Sequence, residues 1–60
     1  MVTERQLTVL LADDHTRVRA RIRDALETGG CTVCAETATA QEAVAAAVEH
    51  RPDVALLDIH

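Results

Sequence analysis

The feature that most limits the possible folds is a regular alternation between short apolar runs and longer segments with helical spacing. The apolar runs are LTVLLA (7–12), CTVCAE (31–36) and VALLD (54–58), and the segments between them are 16–28 and 40–50. A short, largely apolar run predicts a strand buried on both faces, whereas apolar residues three and four apart predict one face of a helix. This order predicts an α/β fold in which right-handed crossovers join parallel strands and helices cover both faces of the sheet.

Local signals predict where the two helices end. Gly29 and Gly30 follow the first helix, and glycine adopts the left-handed capping conformation without a Cβ penalty. The segment TAQE (39–42) has the form of a capping box, which predicts a second helix that continues to about His50. Pro52 ends this helix, because the residue before a proline avoids the α region.

Length and charge narrow the classes of function. The chain has 60 residues, no aromatic residue and a formal net charge of −4. A chain of this size buries only about 60% of its unfolded surface, so we expect marginal stability or a part of a larger domain. The acidic balance argues against direct binding to nucleic acid or anionic lipid. The sequence has neither a long apolar run nor a secretory signal pattern, so we expect no membrane span and a cytoplasmic location.

Aspartates stand at the ends of two predicted strands. Asp13 and Asp14 follow the first strand, and Asp58 ends the third. The carboxyl ends of parallel strands lie on one edge of a sheet, where ligand sites form. If these strands are neighbours, three carboxylates meet there, and a partly open set of hard oxygen ligands favours Mg²⁺. The alternative is that each aspartate is only a turn or helix-capping residue.

Three sequence elements, LLADDH, ATAQEAV and RPDVALLDIH, together resemble the receiver domain of bacterial two-component response regulators. The nearest subgroup is the NarL/FixJ (LuxR-type) transcription regulators. The resemblance implies a flavodoxin-like (CheY-like) doubly wound fold with strand order 2-1-3. It implies a phosphoacceptor at Asp58 and Mg²⁺ held by Asp13, Asp14, Asp58 and the backbone carbonyl of His60. It also implies a sensor histidine kinase as phosphoryl donor and a signalling role rather than an enzymatic one, and it leaves homodimerisation open.

The chain also departs from the family pattern. Residues 1–60 correspond to a partial receiver domain that stops after the third strand. A complete receiver has a fourth strand ending in Ser or Thr and a fifth ending in Lys, and this sequence contains no lysine. DNA binding is therefore expected only from an output domain outside these residues. We expect the third strand to expose an apolar edge prone to pairing, and a non-functional truncated fragment is the alternative reading.

Two further patterns suggest other classes of protein. Cys31 and Cys34 form a C-x-x-C spacing, which is typical of thiol-redox and zinc sites. No second ligand pair completes a zinc site, and residues three apart on a strand point to opposite faces. We interpret both cysteines as small buried side chains, with a small thiol-redox protein as the alternative. A haloacid-dehalogenase-like phosphatase needs Asp-x-Asp, but the third residue of Asp58-Ile59-His60 is not acidic.

The polar residues around the first helix complete the sequence interpretation. We interpret His15 as a loop residue that leads into this helix, with an influence on the charge of the acidic site as the alternative. Arginines alternate along the helix at Arg17, Arg19, Arg21 and Arg23. Because this spacing spreads them around the helix, we interpret them as a solvated surface, with a contact for the kinase as the alternative. Arg23 and Glu27 have the i, i+4 spacing of an ion pair.

Overall fold

The computed structural model describes residues 6–59. The elements are β1 (Thr8–Asp13), α1 (Thr16–Thr28), β2 (Thr32–Thr37), α2 (Ala40–His50) and β3 (Val54–Asp58). The strands form one parallel sheet in the order β2-β1-β3. This arrangement is the first part of a flavodoxin-like fold, so the predicted fold class is confirmed. The predicted bounds of α1, α2 and β3 are also confirmed, whereas β1 and β2 each lie one residue later than predicted.

The helix ends follow the local signals in the sequence. The hydroxyl of Thr39 accepts a hydrogen bond from the Glu42 N–H at 3.1 Å, and it donates to the Glu42 carboxylate at 3.1 Å. After α1, the left-handed residue is the second glycine of the pair, Gly30, with φ 94°. Arg51 ends α2 in the left-handed region, with φ 48° and ψ 58°, directly before Pro52. The predicted capping box and both predicted stops are therefore confirmed.

The central strand β1 supplies most of the core. Its side chains from Val9 to Asp13 are at most 1% exposed. Leu10 and Ala12 pack with Ala43 and Ala46 of α2, whose small side chains allow the helix to approach the sheet closely. Because successive residues of a strand point to opposite faces, Asp13 lies on the other face. Crossovers that run in opposite directions place their helices on opposite faces, so this second face belongs to α1.

Within residues 6–59, the third strand pairs with β1 and forms one edge of the sheet. It is exposed along its whole length, with Val54 at 37%, Leu56 at 40% and Leu57 at 64%. The expected exposure of an apolar third strand is thus confirmed. A groove of about 380 Å³ runs between α2 and β3, and it is lined by Leu10, Ala40, Ala43, Val44, Ala47, Ala55, Leu57 and Ile59.

Asp53 and Thr8 fasten the beginning of β3 to the beginning of β1. The Asp53 carboxylate accepts hydrogen bonds from the Thr8 N–H at 2.9 Å and from the Thr8 hydroxyl at 3.0 Å. In return, the Asp53 N–H donates to the hydroxyl and to the carbonyl of Thr8, both at 3.0 Å. These bonds support the register in which Asp13 pairs with Asp58 at the opposite end of the two strands.

The second strand contains an irregularity that the sequence did not predict. Val9 pairs with Val33 but Leu10 pairs with Ala35, so Cys34 is an extra residue in β2. The Cys34 thiol donates to the Val9 carbonyl at 3.4 Å. Both cysteines are free thiols, and they are half-buried rather than buried as we interpreted them. Among the helices of the described residues, none is long and apolar enough to cross a membrane.

Candidate functional site

The acidic residues meet where β1 and β3 end. Asp13 and Asp58 are direct partners in the parallel ladder. Adjacent strands lie about 4.8 Å apart, and paired residues present their side chains to the same face. The two carboxylates differ in environment, since Asp13 is 0% exposed while Asp58 is exposed. A buried carboxylate and a solvent-accessible one therefore lie side by side at the carboxyl edge of the sheet.

The turn that follows β1 adds further ligand atoms. One atom each from Asp13, Asp14 and His15 lie within 4.8 Å of one another. His15 Nδ1 lies 2.9 Å from Asp14 Oδ1 and 3.5 Å from Asp13 Oδ1. The His15 N–H donates to Asp13 Oδ1 at 2.8 Å. His15 precedes α1, as we predicted, and it also contacts both carboxylates. Its influence on the charge of the site, the alternative interpretation, stays a prediction.

The hydrogen bonding of the Asp13 carboxylate tests whether a cation fits this site. Its second oxygen, Oδ2, is buried and accepts no hydrogen bond from the described residues. A buried carboxylate oxygen without a donor is unfavourable, and a cation is one way to compensate it. The neighbouring Asp14 side chain is 36% exposed, which leaves the site open to water and to a phosphate oxygen. Hard oxygen ligands in an open site are the ligands that Mg²⁺ prefers, so the residues fit this ion.

The two other predicted ligands are Asp58 and the carbonyl of His60. Asp58 adjoins the compact group of ligand atoms through its strand pairing with Asp13 rather than as a member of the close cluster. His60, whose carbonyl is the other predicted ligand, lies outside the described residues. The assignment of Asp13, Asp14, Asp58 and His60 to a Mg²⁺ site accordingly remains a prediction.

Sequence reasoning missed the role of Arg19. Its guanidinium Nη1 donates to the Asp13 carbonyl at 2.7 Å and to the Thr37 carbonyl at 3.4 Å. Its Nε lies 3.4 Å from a carboxylate oxygen of Glu36, and only 18% of the side chain is exposed. The interpretation of this residue as part of a solvated surface is therefore wrong, because it lies across the ends of β1 and β2.

Arg23 lies one helical turn farther along the same side of α1. Its Nη1 is 3.4 Å from Glu36 Oε2, and its Nη2 is 3.2 Å from Asp24 Oδ1. Hydrogen bonds to the carboxylates of Asp24 and Glu36 raise the pKa of Arg23 above its ordinary value. The predicted pair with Glu27 is present at 4.0 Å, the longest of these contacts. The sequence signal for this network was the spacing of four between the two arginines together with the lone acidic residue in β2.

Comparison with known proteins identifies the family. The sequence model of the family described as "Response regulator receiver domain" matches residues 9–60. The chain belongs to this receiver domain family. Its site therefore lies in a signalling domain, and Asp58 ends the third strand of a receiver domain.

Curated relatives of this receiver domain differ in their printed functions. A "Protein-glutamate methylesterase/protein-glutamine glutaminase" of Haloarcula marismortui is 44% identical over 50 residues, which cover 83% of this chain and 14% of that protein. A "Protein-glutamate methylesterase/protein-glutamine glutaminase 3" of Hahella chejuensis is 37% identical over 54 residues, which cover 90% of this chain and 16% of that protein. A "Putative transcriptional regulator" of Pseudomonas aeruginosa is 39% identical over 51 residues, covering 85% and 25%. The chain spans at most a quarter of each relative, and membership of the NarL/FixJ subgroup stays a prediction.

Proposed function

We propose that this receiver domain accepts a phosphoryl group from a sensor histidine kinase on the carboxylate of Asp58. The observation that carries the proposal is the ladder pairing of Asp58 with the buried Asp13 at the carboxyl edge of the sheet. An acceptor must be reached by a side chain of another protein, and Asp13, which is 0% exposed, is out of reach. Asp13, Asp14, Asp58 and the carbonyl of His60 are the ligands that we propose for Mg²⁺.

The proposed reaction is a phosphoryl transfer between two proteins. An oxygen of Asp58 attacks the phosphorus of the kinase phosphohistidine, a P–O bond forms, and the P–N bond breaks. The product is an acyl phosphate on Asp58, and the histidine leaves as imidazole after it takes up a proton. Such transfers depend mainly on positioning and electrostatics, and bound Mg²⁺ supplies positive charge for the transferring oxygens. Asp13 and Asp14 contribute by fixing the place of that charge beside the acceptor.

We further propose that residues 1–60 are part of a larger receiver and that phosphorylation controls an output domain. The relative named as a transcriptional regulator supports a DNA-binding output, which we favour on the sequence elements shared with the NarL/FixJ subgroup. The two relatives named as methylesterases support a second candidate, an enzymatic output. In both cases the described residues have a signalling role.

Phosphorylation of the intact protein tests the proposed acceptor. We expect the protein to gain one acid-stable, base-labile phosphoryl group from acetyl phosphate when Mg²⁺ is present, as measured by intact mass. Asp58→Asn removes the attacking carboxylate and should abolish this gain. Asp24→Asn, which changes an exposed carboxylate on α1, is the matched control and should leave it unchanged. A phosphoryl group that persists in Asp58→Asn would show that the acceptor is another residue.

A further inference from the structure

One residue holds the acidic turn from both sides. The guanidinium of Arg19 donates to the carbonyl of Asp13 at 2.7 Å, and the backbone N–H of Arg19 donates to the carbonyl of His15 at 2.9 Å. The two carbonyls flank Asp14 in the sequence. The side chain of Arg19 thus fixes the carbonyl before Asp14, and the first backbone hydrogen bond of α1 fixes the carbonyl after it. Together these bonds restrict the backbone rotations that set the direction of the Asp14 side chain.

The guanidinium itself is held in place by β2. Its Nη1 also reaches the Thr37 carbonyl at 3.4 Å, and its Nε faces the Glu36 carboxylate at 3.4 Å. Hydrogen bonds from a charged donor are shorter and stronger than neutral ones, and the planar guanidinium presents several donors in a fixed geometry. Lysine places its charge at one point and cannot reproduce this arrangement. The backbone end of β1, the turn after it and the end of β2 thus converge on one side chain.

We propose that Arg19 is a positioning residue for the metal site, which fixes the turn after β1 so that the Asp14 carboxylate lies beside Asp13 and Asp58. The inference rests on the proposed function, since it assumes that these carboxylates bind a divalent cation. Asp14 needs such support because it lies beyond the end of β1 and its carboxylate is partly exposed. Asp13 and Asp58 are held in place by the strand ladder itself.

Arg23 provides a matched control for the structural contribution of Arg19. Both arginines extend from α1 to the carboxylate of Glu36, at 3.4 Å in each case. Of these two arginines, Arg19 is the one that donates to the carbonyl of Asp13. A variant of Arg23 therefore weakens the attachment of α1 to β2 without removing the contact that positions the acidic turn.

The experiment measures the dissociation constant of Mn²⁺, used as a paramagnetic probe, by electron paramagnetic resonance on the intact protein. Thermal unfolding of each variant is recorded with and without Mn²⁺. We expect Arg19→Gln to raise the dissociation constant by about 10- to 100-fold, the loss typical of residues that orient metal ligands. Arg19→Lys, which keeps a positive charge facing Glu36, should also bind more weakly, whereas Arg23→Gln should bind like the wild type. The rise in unfolding temperature on adding Mn²⁺ should be smaller for Arg19→Gln and Arg19→Lys than for Arg23→Gln and the wild type.

Each other outcome overturns the proposal. Wild-type affinity in Arg19→Gln would show that the turn does not need the guanidinium. An equal loss in Arg23→Gln would assign the effect to the attachment of α1 rather than to the Asp13 carbonyl. If Arg19→Gln does not fold, Arg19→Lys decides, and wild-type affinity in that variant overturns the inference. Absence of Mn²⁺ binding in the wild type would overturn both this inference and the proposed metal site, whereas phosphorylation tests Asp58 separately.

Discussion

Replacing Asp13 by asparagine should change stability in opposite directions with and without the metal. The Asp13 carboxylate is 0% exposed, and its Oδ2 accepts no hydrogen bond from the described residues. Its charge lies one strand away from Asp58 and next to Asp14 in the chain. In the metal-free protein the buried Oδ2, which has no donor among the described residues, makes this carboxylate oppose folding. An amide of the same shape removes the charge and can donate a hydrogen bond to a neighbouring carboxylate.

The expected change in stability for Asp13→Asn follows from the burial of one carboxylate oxygen without a hydrogen-bond donor. A buried acceptor without a donor costs about 1–3 kcal/mol, and more when it is charged. We therefore expect Asp13→Asn to raise the free energy of unfolding by about 1–3 kcal/mol in the absence of Mg²⁺. A metal at ten times its dissociation constant stabilises the native wild type by about 1.4 kcal/mol. Because Asp13→Asn loses a metal ligand, the difference in free energy of unfolding between this variant and the wild type should shrink as Mg²⁺ is added.

Urea unfolding of the intact protein in EDTA measures the metal-free gain in stability. The same assay across a Mg²⁺ titration measures how that gain decreases. With a urea dependence of about 1–3 kcal/mol per molar, the expected change moves the midpoint by roughly 1 M. Asp14→Asn is the matched control, since it removes the same charge from a side chain that is 36% exposed, and its metal-free gain should be smaller. A lower free energy of unfolding for Asp13→Asn in EDTA would refute the argument that the buried charge opposes folding.

Two further predictions concern the elements that hold the site in register. Asp53→Ala removes two hydrogen bonds to Thr8 and should lower the free energy of unfolding by about 1–3 kcal/mol, whereas Asp53→Asn, which keeps an acceptor, should lose less. If urea unfolding shows the same loss of stability in Asp53→Ala and Asp53→Asn, the hydrogen bonds to Thr8 are not its cause. Thr39→Ala removes the hydroxyl that accepts from the Glu42 N–H and should cost about 1 kcal/mol in the same assay, while Thr39→Ser should restore most of it. Failure of serine to restore stability would show that the cap is not the cause.

The elements could be predicted from the sequence because each has a local signal, and the deviations arise from tertiary pairing. Asp13 reads as a turn residue, but its ladder pairing with Asp58 makes it the last residue of β1. Cys31 reads as the first residue of a strand, but its N–H donates to the Leu26 carbonyl and closes the end of α1. The extra residue at Cys34 depends on how β2 fits against β1, which no sequence periodicity encodes.

The acidic residues of the candidate site were also predictable, but their environments were not. Strand ends and a parallel topology suffice to bring Asp13 and Asp58 to one edge. The burial of Asp13 depends on its position in β1, which is paired on both sides, whereas β3 is paired on one side only within residues 6–59. The contact from Arg19 depends on the path of α1 over the ends of two strands, so alternation along the helix gave the wrong interpretation.

The positions of Asp13 and Asp58 in the sheet fit the different roles that we propose for them, holding a cation and accepting a phosphoryl group. The central strand is paired on both sides, so Asp13 is fixed by the core and shielded from partner proteins. The pairing of β3 with β1 keeps Asp58 in register with Asp13. The chemistry that we propose for Asp58 therefore depends on the strand pairing that places it beside Asp13 as much as on the carboxylates themselves.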